Sequence, residues 1–156
     1  MQPEMQEKTK IKIPSFVSLL NPLIKTMLRL GAPVGPMTLL TVRGRKSGKP
    51  RTTPVPVWKA QGHRYLLATF GNVDWVRNLR SVQEAQVGKG RRRETVHAKE
   101  LSVDEAASVF QQVFAPYLSS RMMSSALKMG YELNQKSTPE DYRREAGRHP
   151  AFEIVK

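Results

Sequence analysis

Nine residues, Arg43-Gly44-Arg45-Lys46-Ser47-Gly48-Lys49-Pro50-Arg51, hold five cations among two Gly, one Ser and one Pro. Forked guanidinium groups, a hydroxyl and backbone amides crowded into one turn are suited to gripping a phosphate or a run of carboxylates. The stretch follows the phosphate-binding loop of nucleotide enzymes only in part. Three residues separate Gly44 from Gly48 where that loop has four, and Lys49 precedes Pro50 where a magnesium-binding hydroxyl is needed. The plain alternative is a solvated hairpin tip. A second cluster, Lys89-Gly90-Arg91-Arg92-Arg93, stands at another expected turn, where charge that keeps a peripheral hairpin soluble accounts for it as readily as a polyanion does. Trp75 follows an apolar segment at the start of an expected helix, placed for the core or as a wall for a flat ring. His63, His97 and His149 are scattered among unhelpful neighbours, so no metal site is expected and each reads as structural or exposed.

The elements that present these residues follow from period and punctuation. Residues 37–43 (MTLLTVR) are β-formers, 44–49 are turn chemistry, and 51–59 (RTTPVPVWK) alternate again, giving a hairpin with the basic loop at its tip. Pro54 and Pro56 lack amide donors and mark an edge or bulged segment. After a Gln61-Gly62 turn, 64–70 (RYLLATF) is largely apolar, as befits a strand covered on both faces. Asn72 is placed to cap a helix carrying Val73, Trp75, Val76 and Leu79. Strands at 84–87 and 93–101 flank a Gly88-Lys89-Gly90 turn, and Ser102 with Glu105 forms a capping box for a helix striped by Ala106, Val109, Phe110, Val113 and Phe114. Residues 116–148 read as a Met-rich helical segment, a polar loop and a short helix begun by Pro139, before a closing strand at 149–155. Met122, Met123, Leu127 and Met129 make an adaptable apolar surface there, either core or the edge of a pocket.

Nearer the start, Asn21-Pro22 and Gly31 bracket a short amphipathic helix over 22–30 with Lys25 and Arg29 on its polar edge. Residues 1–13 read as a mobile arm, and 14–156 as a single domain. Five or six mostly antiparallel strands with three or four helices favour a small, mainly β barrel of the α+β class with helical decoration.

Composition narrows the partners. The 26 Lys and Arg against 13 Asp and Glu leave a formal charge of +13, which calls for an anionic partner. Cys is absent, so disulfides, thiolate nucleophiles and sulfur-based zinc sites are excluded, and a cytoplasmic location is expected. No apolar run reaches a membrane span of roughly 18 residues or more. The basic clusters lack the interleaved aromatics of a single-strand binder, and no zinc module, zipper or RNA-recognition signature is present, so specific nucleic acid is not the expected partner.

Together, TVRGRKSGKPRTTPVPVW, RYLLATFG and NVDWVRNLR resemble the deazaflavin (coenzyme F-420)-dependent nitroreductase and quinone reductase family from about residue 35 to 87. The resemblance implies a split β-barrel of the pyridoxamine-phosphate-oxidase, FMN-binding type. It implies that Arg45, Lys46, Ser47, Gly48, Lys49, Pro50 and Arg51 hold the phosphate and oligoglutamate tail of F-420. Pro54, Val55, Ala68, Thr69, Phe70, Gly71, Trp75, Val76 and Asn78 would line the deazaflavin ring. Hydride transfer would run to a quinone, a nitro compound or an activated alkene, with Thr69 and Tyr117 beside the acceptor. Val57 stands where many nitroreductase relatives carry Tyr, and Phe70 stands in place of a Lys in a shorter loop; both departures count against nitro-prodrug reduction. The alternatives kept open are FMN as cofactor, a split-barrel protein that binds FMN or another apolar or anionic ligand without reductase activity, and a basic nucleic-acid-binding module. Two further expectations are a homodimer and a peripheral contact of 22–30 with the inner face of the plasma membrane.

Overall fold

The computed structural model describes residues 11–128 and 130–156. Six strands, β1 (Met37–Arg43), β2 (Pro50–Ala60), β3 (His63–Leu67), β4 (Glu84–Lys89), β5 (Arg92–Glu100) and β6 (Ala151–Val155), close in the order β1-β2-β3-β6-β5-β4. Every pairing is antiparallel. This is the split-barrel class expected from the sequence.

Alternation along the strands separates two cores. Leu40, Val42, Val55, Leu66, Val87 and Val96 fill the barrel interior with their neighbours. Residues of opposite parity, such as Tyr65 and Leu67, face outward into a second cluster. That cluster is covered by α3 (Val103–Leu118), α4 (Arg121–Leu127) and α5 (Pro139–Arg148). The apolar run in β3 therefore has the cause the sequence suggested: both its faces are covered. The strand stops at Leu67, before the expected 70, because Pro150, next in register opposite Ala68, has no amide to donate and Gly71 takes a φ of +79°.

Pro54 and Pro56 sit where a missing donor costs little. Residues 50–56 of β2 pair with β1, whereas 57–60 pair with β3, so the proline segment has a strand neighbour on one side only. The β2–β3 turn has two residues, Gln61 (φ 51°) and Gly62 (φ 79°), both left-handed as a type I′ turn requires. Asn tolerates that conformation better than Gln. Gln61→Asn is expected to stabilise the fold by about 0.5 kcal/mol, read as a rise in Tm of about 1–2 °C.

Three local expectations change. The first helix, α1, runs Ser15–Arg29 and contains Pro22 rather than starting at it. The bond Pro22 cannot donate would fall on the Ser18 carbonyl in an exposed turn, and Thr26 Oγ1 donates to the Pro22 carbonyl at 2.9 Å. The second helix, α2 (Asp74–Val82), is capped at Val73, because Asn72 Oδ1 accepts from Arg80 Nη1 at 3.2 Å instead. The β4–β5 turn is Gly90-Arg91, since Lys89 pairs with Arg92. Gly88 lies inside β4 at a φ of +152°, where a Cβ would stand 1.9 Å from the Arg92 carbonyl oxygen. The capping boxes of α3 (Ser102, Glu105) and α5 (Thr138, Asp141) are both formed.

Residues 1–10 of the expected arm lie outside the described residues, as do Met129 and the side chain of Met123. Met122 is exposed and Leu127 is buried. No helix among the described residues is long and apolar enough to cross a membrane.

Candidate functional site

The basic loop is a closed turn between paired ends. Arg43 faces Pro50 across the β1–β2 ladder, Gly44 donates to the Lys49 carbonyl at 2.8 Å, and Gly48, at a φ of +70°, donates to the Gly44 carbonyl at 2.9 Å. A Cβ on Gly44 would press to 3.0 Å from Ser47 Oγ and 3.3 Å from the Lys49 oxygen. Several amides that the sequence offered to a ligand are thus spent on the turn itself. What the loop presents outward is its side chains.

Asn78, 5% exposed on α2, pins the loop to the barrel. Its Oδ1 accepts from the Arg45 amide at 3.2 Å and from Arg45 Nη1 at 2.7 Å. Arg45 Nη2 lies 3.5 Å from Asp74 Oδ1, and Arg77 approaches the same carboxylate at 3.6 Å. Among the described residues, Arg45 is the one cation of the loop in contact with a carboxylate. Lys46, Lys49, Arg43 and Arg51 have no carboxylate partner among the described residues.

Between this loop and the first turn of α2 opens a cavity of about 540 Å³. Its wall combines Arg45, Lys46, Ser47 and Arg51 with Val73, Trp75 and Asn78, and Asp74 is its single carboxylate among the described residues. The N-terminal turn of α2 adds partial positive charge. Trp75 has the two faces the sequence left as alternatives. It packs on the barrel core, with its ring centroid 6.0 Å from that of Phe152, and it also lines the cavity.

Of the expected site residues, the cavity gathers Arg45, Lys46, Ser47, Arg51, Trp75 and Asn78. Gly48, Lys49 and Pro50 belong to the same turn. Asn78 lines the cavity and, through its Oδ1, anchors Arg45. Val55, Ala68 and Val76 are buried in the barrel core, where they back the cavity rather than line it. Pro54 pairs with Leu39, while Phe70 and Gly71 follow β3 in a tight turn. Tyr117 lies elsewhere, on the outer face of β2, with its ring 5.9 Å from that of Trp58.

Sequence reasoning missed the polar cluster next to Thr69. Thr69 Oγ1 is 3.3 Å from the hydroxyl of Tyr131, whose phenol is pushed up by burial and stays protonated. Fully buried His149 places Nδ1 2.9 Å from the Ala68 carbonyl and Nε2 3.1 Å from Glu145 Oε2. Glu145 is equally buried. The one available signal was the i, i+4 spacing of Glu145 and His149 at the end of α5. His63 pairs with Glu153 at 2.6 Å and His97 is exposed; among the described residues no His, Asp or Glu cluster forms a metal site.

Residues 26–128 match the profile of a family described as F-420H(2)-dependent quinone reductase. No curated protein matches the chain. Among solved structures, one described as an F-420-H2-dependent reductase is 18% identical over 76% of this chain and 93% of its own, at a TM-score of 0.47. A protein described as a domain-swapped dimer is 16% identical over 90% of this chain and 99% of its own, at a TM-score of 0.50. A NimC/NimA-family protein from Clostridium acetobutylicum is 13% identical over 78% of this chain and 74% of its own, at 0.47. Of these, the likeness at 0.50 bears on the fold alone; the profile match carries the family.

Proposed function

Because the chain belongs to the F-420H(2)-dependent quinone reductase family, and is thus an F-420-dependent oxidoreductase, we propose that the cavity between the basic loop and α2 holds the cofactor and that the acceptor is a quinone. The observation that carries this reading is one cavity joining Arg45, Lys46, Ser47 and Arg51 to the ring of Trp75. A phosphate and several carboxylates fit the cationic end, and a flat ring fits the Trp75 end. Gly48, Lys49 and Pro50 shape the turn that presents those cations. When bound, the reduced cofactor supplies a hydride, which with one proton converts a quinone to a quinol.

The protein's part is binding and orientation. Lys46 and Arg51 neutralise the tail, and Ser47 Oγ, which already accepts from the Lys49 amide at 3.2 Å, donates its proton to it. Trp75 is held by the barrel core, so it offers a fixed wall. Val55, Ala68 and Val76 fill the core behind that wall and keep water from it. Thr69, two residues past β3 and outside the lining of this cavity, is the group assigned to charge developing on the acceptor. Tyr117 takes no part in this reading.

A fluorescence titration with F-420 and FMN side by side tests the assignment. F-420 should bind at least about tenfold more tightly, a gap of about 1.4 kcal/mol, because FMN lacks the carboxylate tail. Equal or tighter binding of FMN would assign the cavity to a flavin instead.

A quinone acceptor also suits a contact between α1 and a membrane surface. Phe16, Leu19, Leu20, Leu23, Met27 and Leu30 are exposed, and Leu28 is the one buried residue of α1. An apolar stripe beside Lys25 and Arg29 has the character of a helix lying in a lipid interface.

A further inference from the structure

We propose that the mouth of the barrel formed by the ends of β2 and β4 and the starts of β3 and β5 is a receptor for the phosphate of an anionic phospholipid headgroup. It rests on the membrane contact of α1 read above, and it makes a separate claim about a separate cavity.

Interior-facing positions of the barrel change character at this mouth. Along β2 the row Val55, Val57 ends in Lys59, and along β3 Leu66 gives way to Arg64, its partner in the ladder being Val57 while Arg64 faces Lys59. Along β4 the row Ala85, Val87 ends in Lys89, which pairs with Arg92 of β5. Val57, Lys59, Arg64, Val87, Lys89 and Arg92 line a cavity of about 540 Å³, distinct from the one under the basic loop. Its single carboxylate among the described residues is Glu94, which accepts from Arg64 Nη1; that hydrogen bond outweighs burial and holds the Glu94 carboxyl below its ordinary range. Lys59, Lys89, Arg92 and Arg93 have no carboxylate partner among the described residues. Interior positions of a barrel are ordinarily apolar where they are meant to be filled by the protein. A lumen that ends in unpaired cations is built for an anion.

Its neighbour identifies the source of that anion. The Gly90 amide at the hairpin tip donates to the Leu28 carbonyl of α1 at 2.8 Å, and a Cβ on Gly90 would stand 3.2 Å from Gly31 Cα. The chain leaving α1 through Gly35 and Pro36 forms part of the cavity's rim. The exposed stripe of α1 and the cationic mouth therefore share one end of the molecule. A lipid surface satisfies both at once, with acyl chains under Leu19, Leu23 and Leu30 and phosphate at Lys89 and Arg92. A second copy of the chain covering α1 would bring two sets of unpaired cations together.

The test uses the full chain, sedimented with phosphatidylcholine vesicles with and without phosphatidylglycerol, and titrated with dihexanoylphosphatidylglycerol as dispersed monomers. The wild type should bind vesicles when phosphatidylglycerol is present, and should bind the short-chain lipid more tightly than inorganic phosphate. Lys89→Glu/Arg92→Glu should lower vesicle partition by about 100-fold and abolish short-chain lipid binding, while leaving F-420 affinity and Tm near the wild-type values. Leu19→Glu/Leu23→Glu should lose vesicle binding but keep the short-chain lipid, which separates failure of the α1 contact from failure of the headgroup pocket. Wild-type partition by the Lys89→Glu/Arg92→Glu protein would overturn the pocket. So would a concentration-dependent dimer abolished by Leu19→Glu/Leu23→Glu, because a second copy would then cover α1.

Discussion

The Lys46→Glu/Arg51→Glu protein is expected to bind F-420 about 1,000-fold more weakly than the wild type, since each good hydrogen bond from a charged group contributes about 1.5–3 kcal/mol. Repulsion between the new carboxylates and the cofactor's own adds to that loss. These two cations are the informative pair because both are exposed and line the cavity, and neither contacts a carboxylate among the described residues. Substitution at such positions shifts stability by about 0.5 kcal/mol or less, so Tm should hold. Arg45 is a poorer choice despite its place in the same wall. It serves Asn78 through two hydrogen bonds and approaches Asp74, so its reversal would disturb the loop as well as the ligand. A second readout separates charge from shape: wild-type affinity should fall as salt rises, and the variant's should fall much less. Unchanged F-420 binding in the doubly reversed protein would place the tail elsewhere.

That experiment depends on a loop that was plain in the sequence, whereas its anchor was not. Gly, Ser and Pro among five cations announce a tight basic turn, because each of those residue types has a local backbone reason to be there. Asn78 is different. Its importance comes from a contact made across 33 residues with Arg45, and periodicity marks it only as one more polar position on a helix. Strand positions were legible for the same local reason, through alternation and proline. The placement of α1 was not, because Asn-Pro and a later Gly carry the same start and stop signals whether the helix begins there or merely passes through. The shift of the β4–β5 turn is also non-local. Gly88 must lack a Cβ because the Arg92 carbonyl crosses it, and Gly90 because α1 docks there. Glycines with two different reasons look identical in a sequence.

Glu145, marked in the sequence only by its spacing from His149, carries the largest consequence. It is fully buried, with Oε2 3.1 Å from His149 Nε2 and Oε1 3.3 Å from Arg148 Nη1. Burial works to raise its carboxyl, but the His149 hydrogen bond and charge, helped by Arg148, outweigh it and hold the group below the ordinary carboxylate value of 4.5. Glu145→Gln keeps the shape and removes the charge, leaving buried donors without their anion. Breaking a buried pair in this way costs about 3 kcal/mol or more, expected as a fall in Tm of about 6–12 °C at neutral pH. The sign with pH follows from the lowered carboxyl. The unfolded chain binds the proton more readily than the folded one, so this contribution is complete above 4.5 and is lost as pH falls through the folded value. Urea unfolding of both proteins from neutral pH into the acid range should therefore show a gap that narrows as pH falls below 4.5. A gap that persists undiminished in acid would mean that packing, not the carboxylate, supplies the stability. The loss should also reach the site, because the ring that Glu145 orients is the one that holds the Ala68 carbonyl next to Thr69. Weakened F-420 binding in Glu145→Gln at temperatures well below its Tm is the expected sign of that coupling.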